Sequence, residues 1–153
     1  MFFLYFFRKA QETDNLLLKK IYRRLTKHYR SAHGLEIPDD LKVGGGFYIG
    51  HPYGITIDPE TILGENVNIH KGVTLEQENR GKRQGAPVIG SKVWIGINSS
   101  VVGNVTIGDD VLIAPNSYVN CDIPPHSVVF GNPCVIKHCD NATESYINRV
   151  AIK

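Results

Sequence analysis

Little in this chain suits a membrane span, a secreted disulfide scaffold or a nucleic-acid surface. The apolar, aromatic stretch at Met1–Phe7 has seven residues, far short of the roughly 20 that cross a bilayer. No basic residue precedes it and no small-residue cleavage site follows it, so it does not read as a signal peptide. Cys121, Cys134 and Cys139 form no metal-ligand spacing. An odd count without a secretory signal points to reduced thiols in the cytoplasm, where the Asn141-Ala142-Thr143 sequon has no use. A net charge of +2 is too small to suggest nucleic acid as a partner. No glycine-rich phosphate loop is present. With 153 residues and 42% hydrophobic content, the chain is read as one compact domain.

What the chain has in abundance is a six-residue period. Aliphatic residues return at Ile89, Ile95, Val101, Ile107, Ile113 and Val119, with Val93, Ser99, Val105, Val111, Ser117 and Ile123 four positions after each. Such a period means a solenoid of three flat faces whose hexad-opening and fifth residues point inward. Eighteen residues complete a turn, and stacked turns pair as parallel strands about 4.7–4.9 Å apart. Each turn buries its aliphatic face only against its neighbours. Gly90, Gly96, Gly108 and Ala114 follow hexad-opening residues, where small side chains are expected to ease a tight corner.

Upstream the register runs through Ile37, Val43, Ile49 and Ile55, slips by two residues, and resumes at Ile57, Leu63, Ile69 and Leu75. The slip near Pro52-Tyr53-Gly54 predicts a bulge beside His51, and irregularities in a repeat are where function tends to lie. The polar stretch Glu76–Pro87, with Arg80, Lys82 and Arg83, is too hydrophilic for the core and is expected as a loop extruded from a corner. Before the coil, over Thr13–His33, Leu18, Ile21, Tyr22, Leu25 and Tyr29 form a helical stripe among Lys19, Lys20, Arg23 and Arg24, with Gly34 as its stop. Its apolar side is expected to pack on the coil or on a partner subunit, in preference to a membrane. The resulting division is a helical segment over 1–34, a coil over 35–137 with an extruded loop at 76–87, and a tail over 138–153.

Among six histidines, His28 and His33 belong to the helix, His138 to the tail, and His126 follows a Pro-Pro turn and is expected to be dispensable. His51, third in the hexad of Ile49, points outward, and His70 in the hexad of Ile69 stacks one coil on beside the same corner.

The hexads, together with Gly50-His51-Pro52-Tyr53-Gly54-Ile55, Gly72-Val73-Thr74-Leu75 and Ile123-Pro124-Pro125-His126-Ser127-Val128-Val129 followed by Gly131-Asn132-Pro133, resemble the serine acetyltransferases among the hexapeptide-repeat acyltransferases. The resemblance covers Leu35–Lys137. It implies an all-β domain, a left-handed parallel β-helix, where the usual rule for parallel crossovers favours the right hand. It also implies a homotrimer with active sites between subunits, acetyl-CoA as acetyl donor, a small hydroxyl-bearing acceptor and no metal. By the same likeness His51 is the general base, and Glu36, fifteen positions earlier, orients it in place of the family's usual Asp. His70 and Tyr53 then wall the acceptor site, while CoA lies along the coil edge near Gly96 and Ala114, with Arg80 and Lys82 able to meet its phosphates.

Departures from the family pattern narrow the reading. The Arg-His pair that helps hold the serine carboxylate is replaced by Gly85 and Ala86, and the glycine-rich loop by Glu76, Gln77, Glu78 and Asn79. Charge-assisted bonds to a carboxylate are worth about 1.5–3 kcal/mol each, so weak serine turnover is expected. A sugar hydroxyl, as in the O-acetyltransferases of surface-polysaccharide synthesis, is the alternative acceptor. Only 34 residues precede the coil, against a large helical region in the family, so higher assembly through that region is not implied. Outside acyl transfer, a γ-class carbonic anhydrase would need three converging histidines on zinc, and His51 and His70 supply two. A scaffold or ice-binding coil would carry ranks of outward threonines, and Thr56, Thr61, Thr74 and Thr106 do not share one hexad position.

Overall fold

A computed structural model describes residues 2–147 and Val150. Its body is a coil built strand by strand. The first turn comprises β1 (Leu35–Glu36), β2 (Lys42–Val43) and β3 (Tyr48–Gly50), and the second β4 (Ile55–Ile57), β5 (Ile62–Leu63) and β6 (Asn68–His70). The third comprises β7 (Thr74–Glu76), β8 (Val88–Ile89) and β9 (Val93–Ile95), and the fourth β10 (Ser100–Val102), β11 (Thr106–Ile107) and β12 (Val111–Ile113). A last turn holds β13 (Tyr118–Val119) and β14 (Ser127–Phe130), and β15 (Val135–His138) folds back antiparallel against β14.

Every strand before β15 pairs parallel with the strand one turn away, giving three sheets with the orders β1-β4-β7-β10-β13, β11-β8-β5-β2 and β15-β14-β12-β9-β6-β3. This is the left-handed parallel β-helix expected. The inward residues form columns such as Ile57, Leu75, Val101 and Val119, and Ile49, Ile69, Ile95, Ile113 and Val129, all buried. The fifth-position residues Val93, Ser99, Val105, Val111 and Ser117 are buried with them. Ser99 and Ser117 are tolerated inside because both hydroxyls donate to the carbonyl of Ala114, leaving no polar group unmet.

The two-residue slip is real. Ile49 pairs with Ile69 while Ile57 pairs with Leu75, so eight positions separate the columns in one turn and six in the next. The loop is also where the hydrophilic stretch placed it. Leu63 pairs with Ile89, 26 positions on, against 18 from Ile89 to Ile107. Its neck is closed by reciprocal N–H to O=C bonds of 3.0 Å between Glu78 and Gly85.

Four expectations need correction. Ile123 does not occupy the fifth position of a hexad; it pairs with Ile107, because the last turn is two residues shorter. The glycines are not small for the sake of a bent backbone. A Cβ on Gly64 would lie 2.6 Å from the backbone of Gly90, and one on Gly96 2.6 Å from Pro115 N, so it is the next turn's backbone that excludes a side chain. Left-handed dihedrals instead fall on Asn66, Lys92, Asp110 and His126 at one corner and on Asn98 and Asn116 at another. Third, two helices precede the coil, α1 (Phe2–Glu12) and α2 (Leu16–His33). Asn15 caps α2 by accepting from Leu17 and Leu18 N–H, and Gly34 ends it at φ 61°. Fourth, the aromatic run forms α1 and closes the coil: Phe3, Phe7 and Ala10 are buried, the two phenyls in one cluster with Leu35, Ile37 and Leu41, while of the α2 stripe Tyr29 packs on that cluster and Leu18 and Ile21 are exposed. The aromatic run thus packs Phe3 and Phe7 into the core at the first turn of the coil.

Candidate functional site

The extra residues between β3 and β4 build a protruding corner. His51 opens it in the left-handed region at φ 56°, its side chain exposed. The Tyr53 N–H turns back to the His51 carbonyl at 2.8 Å, and the Tyr53 carbonyl accepts from Gly72 N–H of the next turn at 3.0 Å. The Gly54 N–H donates to the His33 carbonyl at 3.0 Å, and the Tyr53 ring rests 4.9 Å from the His33 ring. The corner is thus tied to both the next turn and the end of α2, and Tyr53 keeps an exposed ring beside His51.

Strand pairing then aligns Gly50, His70, Gly96 and Ala114 in successive turns along this edge. The His70 ring lies across Gly50, where an added Cβ would come within 2.4 Å of Cε1. Trp94 packs against it at 4.7 Å, and Nε2 is buried with no hydrogen-bond partner among the described residues. Burial, and secondarily the nearby His51, hold the His70 pKa below the ordinary histidine value, so its imidazole is neutral at neutral pH. At Gly96 and Ala114 the N–H groups already donate to the carbonyls of Ile113 and Val129 at 2.8 Å. A ligand along this edge would have to use other backbone groups.

Glu36 stands elsewhere. It lies on β1 in an open cleft of about 730 Å³ shared with Lys27, Arg30, Thr56, Asp58 and Glu76. Its carboxylate accepts from the Thr56 hydroxyl at 3.2 Å, and no hydrogen bond within the described residues joins it to His51. Arg80 and Lys82 are exposed on the loop with no ion pair among the described residues, whereas Arg83 donates to Glu78 at 3.1 Å. Gly85 closes the loop neck and Ala86 is buried behind it.

The sequence reading passed over Trp94, Tyr146 and Asp110, and gave His126 no partner. Trp94 packs on His70 and lies 5.0 Å from Tyr146, and Asp110 is buried. His126, expected to be dispensable in its turn, donates from Nδ1 to Asp110 at 2.9 Å. Trp94 alone left a signal, an aromatic at an outward hexad position. Tyr146 and Asp110 meet through the C-terminal segment, which no hexad predicts. Residues 148, 149 and 151–153 of the expected tail lie outside the described residues.

Residues 86–121 match the family described as bacterial transferase hexapeptide, six repeats. A serine acetyltransferase of Helicobacter pylori is 36% identical over 112 residues, 73% of this chain and 66% of that protein. One from Staphylococcus aureus is 37% identical over 130 residues, 78% of this chain and 60% of that protein. Among solved structures, a serine acetyltransferase of Brucella abortus superposes with a TM-score of 0.73 at 27% identity, covering 90% of this chain and 56% of its own. The Neisseria gonorrhoeae enzyme in complex with serine gives 0.65 at 33% identity, covering 76% and 48%. This chain therefore spans 60 to 66% of the length of these curated relatives.

Proposed function

Since the chain belongs to the hexapeptide-repeat transferases, within their serine acetyltransferase-like part, we propose that it is an acetyl-CoA-dependent O-acetyltransferase. The observation that carries the reading is an outward His51 on an inserted corner beside a neutral His70, in a chain whose relatives are serine acetyltransferases. An acceptor hydroxyl attacks the thioester carbonyl, a C–O bond forms and the C–S bond breaks. His51 takes the hydroxyl proton during attack and returns it to the departing thiolate. Such base catalysis is worth roughly 10²–10⁴ in rate.

Glu36 is the carboxylate proposed to orient His51, exchanging its 3.2 Å bond with Thr56 for one to the imidazole. His70 and Tyr53 line the acceptor side. The donor runs along the edge at Gly96 and Ala114, with Arg80 and Lys82 free to meet its phosphates. A homotrimer is proposed to complete the site, because the His51 side chain is exposed and a second subunit would shield it. A cytoplasmic location goes with this donor, and no described helix is long and apolar enough to cross a membrane.

The acceptor has two readings. Serine follows from the relatives. A sugar hydroxyl is favoured by Gly85 and Ala86, which present neither charge nor hydrogen-bonding side chain to a carboxylate. The zinc-enzyme alternative gains no support from these relatives. Purified protein, acetyl-CoA and a free-thiol readout across serine and a panel of sugars test the proposal. Acceptor-dependent thiol release supports it, and release with no acceptor in the panel counts against it. A serine efficiency above roughly 10⁴ M⁻¹s⁻¹, ordinary for a natural substrate, selects serine over a sugar.

A further inference from the structure

Three rings pack in sequence from the candidate corner: His70 to Trp94 at 4.7 Å and Trp94 to Tyr146 at 5.0 Å. The last belongs to the C-terminal segment beyond β15, and the segment is fixed in place with unusual care. Asp110, buried at a corner of the fourth turn, accepts four hydrogen bonds. Ala142 N–H and His126 Nδ1 reach Oδ2 at 3.0 and 2.9 Å. Thr143 N–H and its hydroxyl reach Oδ1 at 3.0 and 2.8 Å. The Cys139 N–H donates to the His126 carbonyl at 2.8 Å, and Tyr146 and Ile147 N–H close back on the Thr143 carbonyl at 2.9 and 3.0 Å. Ala142, Thr143 and Ile147 are buried against the coil, while the Tyr146 ring stays half exposed over Trp94.

A segment needed only to cover the end of a solenoid could do so with apolar contacts. This one is held by a carboxylate on the coil, and what it delivers is an aromatic ring against the partner of His70. We infer that the segment Asp140–Ile147 is part of the acceptor wall, with Tyr146 and Trp94 acting as positioning residues that hold the His70 ring across Gly50 beside His51, and Asp110 as their anchor. The inference rests on the reading of this corner as the acceptor site. Its chemistry is direct. A desolvated, neutral His70 can exchange a hydrogen bond with an acceptor hydroxyl without adding charge. Released into water it would protonate more readily, placing a cation next to His51 and opposing the imidazolium that forms as His51 takes its proton. The titratable group acting on His70 is His51.

Trp94 is the sole tryptophan, so its emission reports the column directly, being quenched when a contacting imidazole is protonated. The experiment is a pH titration of Trp94 fluorescence in the full chain, with His70→Gln assigning the transition. Tyr146→Ala and Asp110→Asn should move the midpoint upward by about half a pH unit or more as His70 is hydrated. Tyr146→Phe, which keeps the ring, should leave it in place. In the acylation assay Tyr146→Ala should raise the acceptor KM about fivefold or more with acetyl-CoA KM unchanged, and Tyr146→Phe should restore it. An unmoved midpoint in Tyr146→Ala overturns the positioning, and an acceptor KM within about twofold of wild type overturns the wall. If wild-type protein acetylates no acceptor, the functional reading falls, while the midpoint still decides whether the segment holds His70.

Discussion

From Ile89 to Val119 every corner takes the same number of residues and the inward columns run without a break; between Ile49 and Ile57 the chain inserts two more. The regular turns and the interrupted one share the same aliphatic columns, and Ile49, Ile69 and Ile113 are all fully buried. They differ in what the corners carry. In the regular turns the corners are filled by Asn98, Asn116 and Lys92 in left-handed conformations, which satisfy backbone geometry and expose little chemistry. The interrupted corner carries His51 and Tyr53 outward and gathers His33 and His70 around them. A repeat stabilised turn by turn can accommodate one irregular corner without losing its core, and there a side chain can serve something other than packing.

Removing Pro52 and Tyr53 should give the sharpest break in that contrast. It restores the six-residue register, so the melting temperature should hold within a few degrees while turnover falls roughly 10²–10⁴, the value of a misplaced base. Loss of folding instead would mean that the insertion is structural. Ile113→Ala, in a regular turn, should do the reverse, costing about 2–5 kcal/mol in urea denaturation with activity per folded molecule intact. Less than about 1 kcal/mol would mean that the columns are not the source of stability.

Asp110→Asn should cost about 1–3 kcal/mol, because a buried acceptor of four donors is replaced by a group that cannot accept them all. The sign of its pH dependence follows from its surroundings. Desolvation works to raise the Asp110 pKa, but hydrogen bonds from the Thr143 side chain, His126, Thr143 N–H and Ala142 N–H outweigh it and hold the value below the ordinary one. The contribution is therefore complete above about pH 4 and is lost as pH falls through the folded-state pKa. Wild type should lose stability on acidification below about pH 4 more steeply than Asp110→Asn, and parallel curves would contradict this. The smallest effect belongs to the outward face of the coil, where Ile62→Thr should change stability by less than about 0.5 kcal/mol.

The columns were legible because each hexad exposes its period, and the slip and the loop because each breaks it. The hand of the coil was not, since parallel pairing and buried columns are the same in either hand; it came from the family likeness. Nor was the role of Phe3 and Phe7, because a helix that plugs a solenoid has no partner at a fixed sequence spacing. Asp110, His126 and Thr143 escaped for a similar reason: corner residues one turn apart and a segment beyond the repeat meet only once the chain has coiled. His51 was found as an outward histidine at the break in register, yet its link to Glu36 was drawn from the family pattern, and within the chain Glu36 turns to Thr56. Glu36→Gln, which keeps shape and removes charge, should accordingly lower turnover by less than loss of the imidazole does.

The measurement closest to the central claim is single-turnover acetylation by His51→Ala, with acetyl-CoA affinity and melting temperature determined on the same preparation. His138→Ala, whose exposed ring pairs with Asp140 on the surface, serves as control. The account predicts a rate roughly 10²–10⁴ lower, acetyl-CoA Kd within about twofold and unchanged melting, with the control near wild type. A variant retaining more than about a tenth of the wild-type rate would contradict it and move the base to another residue, His70 first.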